Sequence, residues 1–231
     1  MPTRDPNLAL LEEAAEKLAP FLNEIVFVGG VTLGILISDP ASAPIRNTSD
    51  VDVIAEIVTY ADYIEFSERL REQGFSEDMG EGAPTCRWKS GALTLDVLAI
   101  REEVLGYTNI WYESALNNPM PIELSSGRSV QIIKAPFFLG TKMEAFRGRG
   151  QSDFAASHDL EDFIAVIEGR DELLAEIEEC PTDLRGYLAQ AAQSLLGESL
   201  FKDVLPGFVL DDGRVPLILD RLAKIAQTGS Q

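Results

Sequence analysis

The sequence predicts an α+β protein, with a small mixed sheet flanked by helices over residues 1–134 and a helical region over residues 135–231. Short β-branched runs bounded by Gly, Pro, Ser and Asn recur as far as Ile133, which is the texture of strands and turns. Beyond Pro136, apolar residues recur at helical spacing instead. The chain has 231 residues, 45% of them hydrophobic, enough to bury a core of domain size.

Taken in order, Leu8–Leu22 reads as an amphipathic helix with acids between its apolar positions. Glu24–Val28 is a short strand ending at Gly29-Gly30, and Val31–Ile37 a short helix stopped by Ser38-Asp39-Pro40. A loop over 40–49 leads to a strand at Val51–Val58, then a helix at Asp62–Gln73 with Gly74 as its stop. Thr85–Lys89, Ser90-Gly91 and Leu93–Ile100 read as a hairpin, and Ile122–Leu124 and Val130–Ile133 as two more strands. Helices are expected at Phe137–Arg147, Asp159–Glu168, Glu172–Glu178, Asp183–Leu196 and Val215–Ala226.

Composition removes several function classes. A formal charge of −19 repels nucleic acid except at a local basic patch. Lys134, Lys142, Arg147 and Arg149, against the single acid Glu144, form one. With His158 the only histidine, a His dyad or multi-histidine metal site is ruled out. Cys86 and Cys180 form no metal or redox motif and read as reduced thiols. No apolar run reaches the roughly 20 residues of a membrane span, and the acid-rich start lacks the apolar stretch of a signal peptide. The expectation is a cytoplasmic protein with no membrane partner.

The chemistry points to carboxylates. Asp50 and Asp52 stand at i and i+2, which on a strand places both on one face with Cα atoms roughly 6.5 Å apart. Val51 and Val53 then face the core. Two carboxylates this close repel unless a cation intervenes, and Mg²⁺ suits oxygen ligands while leaving positions for phosphate. Asp96 is a lone acid in the apolar run Leu93–Leu98. Burying it alone is costly, so it is expected to face Asp50 and Asp52. Gly29-Gly30 at a strand end leaves room for phosphate to approach the backbone.

The combination GG…R-N-T-S-D-V-D-V plus L-T-L-D-V resembles the nucleotidyltransferase superfamily with the DNA polymerase β-like palm. More narrowly it is similar to the AbiEii-type branch, on whose R-x-[ST]-x-D-[ILV]-D string Arg46, Thr48, Asp50 and Asp52 fall. The segment KMEAFRGRGQSDFAASHDLEDFIAVIEGR resembles that branch's downstream K-x-x-A-x-x-x-R-G-x-x-D…D-x-x-D, with Lys142, Arg147, Arg149, Asp153, Asp159 and Asp162 on its positions.

The resemblance implies Mg²⁺-dependent transfer of NMP from an NTP to an acceptor hydroxyl. Asp50, Asp52 and Asp96 would be the catalytic carboxylates and ligands of a two-metal site, with Asp96 alternatively the base. Gly29, Gly30, Thr32, Arg46, Thr48, Ser49 and Lys142 would contact the nucleotide. It implies a tRNA end, a protein or a small molecule as acceptor, and a toxin paired with an antitoxin protein. Two alternatives stand beside it: a small-molecule enzyme of the antibiotic-modifying kind, and a catalytically silent nucleotide- or partner-binding module on the same fold. From the residues alone, Asp159 and Asp162 equally suit pairing with Arg147 or Arg149. His158 reads as the start of a helix capped by Ser157, and Trp88 and Trp111 as core or acceptor-pocket residues.

Overall fold

A computed structural model describes residues 5–149 and 153–230. The chain forms two compact units. One comprises residues 5–34 and 46–134; the other, among the described residues, comprises 35–45, 135–149 and 153–230. Residues 35–45, which a sequence boundary at 134 leaves with the first region, thus group with the helices.

The first unit is a seven-stranded mixed sheet with helices. Helix α1 (Leu8–Lys17) buries Leu11, Ala14 and Ala15. It is shorter than its apolar periodicity suggests. Pro20 removes an N–H and disfavours helical backbone at the residue before it, so Ala19–Phe21 is a 3₁₀ turn instead. Strand β1 (Ile25–Val28) is followed by a 3₁₀ turn over Gly29–Thr32 and a short helix, α2 (Leu33–Leu36). Strand β2 (Asp50–Ala55) ends earlier than expected. The chain then turns to let Thr59 and Asp62 form a reciprocal capping box for α3 (Tyr60–Glu72).

Beyond α3 lie β3 (Ser76–Glu77), β4 (Arg87–Ser90), β5 (Leu93–Ala99), α4 (Glu102–Leu105), α5 (Tyr112–Asn117), β6 (Met120–Glu123) and β7 (Ser129–Ile132). The strand order is β3-β4-β5-β2-β1-β7-β6. β2 runs parallel to β5 and antiparallel to β1, and β1 runs parallel to β7. β3, α4 and α5 are too short for periodicity to show, β3 having two residues and each helix fewer than two turns. On one face of the central strands, Val51, Val53, Leu93, Leu95, Val97 and Trp88 are fully buried. That apolar face frees the other for polar side chains.

In the second unit, α6 (Ala135–Arg149) buries Phe137, Phe138, Leu139, Met143 and Phe146. These lie around the helix rather than on one stripe, as in a helix at the centre of its unit. Helix α7 (His158–Gly169) starts as expected, with Ser157 accepting from the Leu160 N–H at 3.3 Å. It is followed by α8 (Leu173–Glu179), α9 (Thr182–Gly197), α10 (Ser199–Val204) and α11 (Val215–Gln227).

The carboxyl end of α7 explains why residues 35–45 belong here. Ser38 and Asp39 N–H groups both donate to the Gly169 carbonyl, at 2.9 and 2.8 Å. A Cβ at Gly169 would lie 2.8 Å from Ile37 Cγ2, so only glycine permits this approach. Arg221 donates to the carbonyls of Ile167, Glu168 and Arg170, and Arg170 to that of Leu36. Cations at the negative end of a helix dipole stabilise it. Arg214 bridges buried Glu168 and Asp39. Among the described residues, no helix is long and apolar enough to cross a membrane.

Candidate active site

The site is built on the polar face of β1, β2, β5 and β4, within the sheet unit. The parallel register pairs Asp52 with Asp96 and Asp50 with Thr94, while the hairpin register pairs Asp96 with Arg87. Register partners point to one face of a sheet, as do residues two apart on a strand. Asp50, Asp52, Asp96 and Arg87 therefore share that face.

Arg87 is the residue that sequence reasoning missed. Its Nε donates to Asp96 Oδ1 at 2.8 Å, and its Nη2 to Asp96 Oδ2 at 2.7 Å and to Asp50 Oδ2 at 3.1 Å. The guanidinium thus grips one carboxylate with two bonds and bridges to a second. Asp96 is 7% exposed, and this fork, matched to carboxylate geometry, is what compensates its burial. The two carboxylates, Asp96 foremost, push the Arg87 pKa further above its ordinary value. Among the described residues, no three His, Cys, Asp or Glu side chains are gathered as a metal-holding group. Next to Arg87, burial pushes the Cys86 thiol up to about 11, so it stays protonated and is no nucleophile. Both cysteines are free thiols.

The glycine pair clears space for side chains of the site. Gly29 has φ +69°, a left-handed backbone, and a Cβ there would lie 2.1 Å from Asp52 Oδ2. Asp52 can lie against the chain only because this residue is glycine. A Cβ at Gly30 would lie 3.2 Å from Thr48 Cβ and 3.7 Å from Arg46 Nη2. The Thr48 hydroxyl donates to Asp50 Oδ1 at 2.8 Å and so fixes that carboxylate's rotamer. Thr32 is fully buried, its hydroxyl donating to the Gly29 carbonyl at 2.9 Å, which closes the 3₁₀ turn. Ser49 is exposed beside Asp50.

Asn7 ties these pieces together and was also missed. Its amide nitrogen donates to the carbonyls of Gly30 and Arg46, at 3.2 and 3.0 Å, and its Oδ1 accepts from the Thr48 N–H at 3.0 Å. The side chain is 1% exposed. Asn7→Ala leaves two carbonyls and one N–H unsatisfied, each partly or wholly buried. The expected loss of stability is about 1–3 kcal/mol, read from the urea unfolding midpoint. An unchanged midpoint contradicts this role.

Lys142 belongs to the helical unit. Its Nζ lies 3.2 Å from Asp159 Oδ1 and 2.7 Å from Asp162 Oδ2, with Asp162 buried. The triphosphate contact expected of Lys142 is set against two carboxylates that already hold its ammonium. Arg147 lies 4.9 Å over the Tyr187 ring, and the Arg149 side chain falls outside the described residues. Asp153 caps a turn through the N–H groups of Ala155 and Ala156, and His158 meets Glu161. Trp88 and Trp111 are both buried in the core.

Three carboxylates lie on one face, one of them cradled by a residue without a side chain; they are oxygen donors of the type a hard divalent cation takes, with Arg87 rather than a cation drawing Asp50 and Asp96 together here. No family model matches the chain, and no curated protein matches it. Among solved structures, it is similar to an antigenic nucleotidyltransferase-like protein from Paracoccidioides brasiliensis, at 19% identity over 74% of this chain and 81% of that one, with a TM-score of 0.44. It is also similar to JHP933 from Helicobacter pylori, at 13% identity over 96% of this chain and 90% of that one, with a TM-score of 0.45.

Proposed function

We propose that the sheet unit is a nucleotidyltransferase, transferring NMP from an NTP to an acceptor hydroxyl. One observation carries the reading: Asp52 and Asp96 are in register on adjacent parallel strands, Asp50 is two residues from Asp52 on the same face, and Gly29 cradles Asp52. Asp50, Asp52 and Asp96 would hold Mg²⁺, whose charge, when bound, stabilises the attacking and leaving oxygens of an in-line displacement. Asp96, in register with Asp52 on the neighbouring strand, would also take the acceptor's proton. Thr48 orients Asp50, and Arg46, beside Gly30, offers a planar fork to phosphate. The acceptor oxygen attacks the α-phosphorus, its proton passes to Asp96, and pyrophosphate leaves.

The test uses two labels. With cell extract as the source of acceptor, label from α-labelled NTP is expected to transfer, label from γ-labelled NTP to remain in pyrophosphate, and transfer to vanish in Asp50→Ala. Transfer that survives Asp50→Ala contradicts the site assignment. A toxin acting in the cytoplasm and countered by an antitoxin predicts growth arrest on expression, lost in the same variant. The −19 charge favours a cationic small-molecule acceptor over a large RNA, and that reading predicts drug resistance instead. The grip of Arg87 on Asp50 and Asp96 favours a second reading, a silent nucleotide-binding module. It predicts nucleotide binding without transfer of either label.

A further inference from the structure

The fork of Arg87 occupies the carboxylate oxygens that a cation would use. It satisfies both oxygens of Asp96 and one of Asp50, from a strand whose hairpin register holds it opposite Asp96. Each of those oxygens keeps a second lone pair, but a guanidinium and a divalent cation set against the same oxygens repel each other. Its side chain is 27% exposed, so Arg87 has a way out of the cluster toward solvent. Away from the carboxylates, its charge needs another anion, and arginine binds phosphate as readily as carboxylate.

We infer that Arg87 is a positioning residue that competes with the divalent cation for Asp50 and Asp96 and moves to the nucleotide phosphates when both ligands load. This rests on the nucleotidyltransferase reading and adds to it a mechanism of loading. A cation arriving alone displaces Arg87 with no new partner for the guanidinium. A cation arriving with an NTP offers one. Binding of the two ligands is therefore cooperative, and by linkage each tightens the other by the same factor. The resting protein is kept from binding stray divalent ions.

The test reads cation binding directly. Mn²⁺ serves as the probe, with free Mn²⁺ followed by its paramagnetic resonance signal, in the wild type and in Arg87→Met, Arg87→Lys and Asp50→Asn. Without nucleotide, Arg87→Met is expected to bind Mn²⁺ about tenfold more tightly than the wild type, within the usual range of coupling between sites. Arg87→Lys, a point charge without the fork, should fall between them, and it carries the test if the methionine variant does not fold. A non-hydrolysable ATP analogue should tighten Mn²⁺ binding more in the wild type than in Arg87→Met. If the Arg87 variants bind Mn²⁺ no more tightly than the wild type while Asp50→Asn binds it more weakly, the competition is overturned and the site reading stands. If Asp50→Asn leaves Mn²⁺ binding unchanged, the carboxylates are not the cation site and both fall.

Discussion

Asp96→Asn is expected to lower the rate of label transfer by about 10²–10⁴-fold, the usual range for loss of a positioned acid–base group, while leaving the protein folded. Asparagine keeps the shape of aspartate, so the fully buried neighbours Leu95 and Val97 stay packed. What it loses is the charge that would take the acceptor's proton and help to hold the cation. Its amide oxygen still accepts from Arg87, which keeps its bond to Asp50 and is exposed enough to reach water. Single-turnover transfer and a thermal unfolding curve, taken on the same preparation, separate the two effects. A variant that transfers at the wild-type rate contradicts the role of Asp96. One that unfolds before it can be assayed shows that Asp96 serves stability first.

Arg214→Met is expected to destabilise the helical unit by about 3–5 kcal/mol, the cost of leaving a buried charge uncompensated. Glu168 is 1% exposed, and Arg214 is its ion-pair partner. The same guanidinium reaches Asp39, 2.6 Å away, and the Glu168 carbonyl. Methionine replaces the arginine stem with similar volume but supplies no donor. A loss of this size is a large fraction of the roughly 5–15 kcal/mol that holds a domain folded. The Asp39 carboxyl is held below its usual range by the Ala41 N–H and then by Arg214. Its contribution is therefore present above the ordinary carboxylate range and is lost as pH falls through the lowered value. Part of the difference between wild type and Arg214→Met should accordingly fade in acid. Urea unfolding at neutral pH measures the main effect. A midpoint shift corresponding to less than about 1 kcal/mol, the size typical of surface pairs, contradicts it.

The carboxylates were legible because a half-buried strand alternates. Val51 and Val53 go to the core, which leaves Asp50 and Asp52 no face but the polar one. Asp96 was legible as an acid that needed a partner, but the partner was not. Reading Ser90-Gly91 as the hairpin loop pairs Arg87 with Thr94. The loop is Gly91-Ala92, with Gly91 at φ +64°, the positive φ that tight hairpin turns require. That change moves Arg87 two residues along the same face, opposite Asp96. Asn7 left no local signal, since its partners lie 23, 39 and 41 residues away. The same holds for residues 35–45, whose place is set by the Gly169 carbonyl and by Arg214, 175 residues from Asp39. Local patterning reports which face a side chain takes. It does not report which distant polar groups that side chain satisfies.

In the proposed enzyme Asp50, Asp52 and Asp96, beside Gly29 and Gly30, form one nucleotide-loaded site. A crystal structure of the protein with Mg²⁺ and a non-hydrolysable NTP analogue tests it most directly. Mg²⁺ is expected on oxygens of Asp50, Asp52 and Asp96, phosphates against the Gly29-Gly30 turn, and the Arg87 guanidinium released from the carboxylates onto phosphate. Nucleotide bound away from that turn, with Arg87 still bridging Asp50 and Asp96, would contradict it.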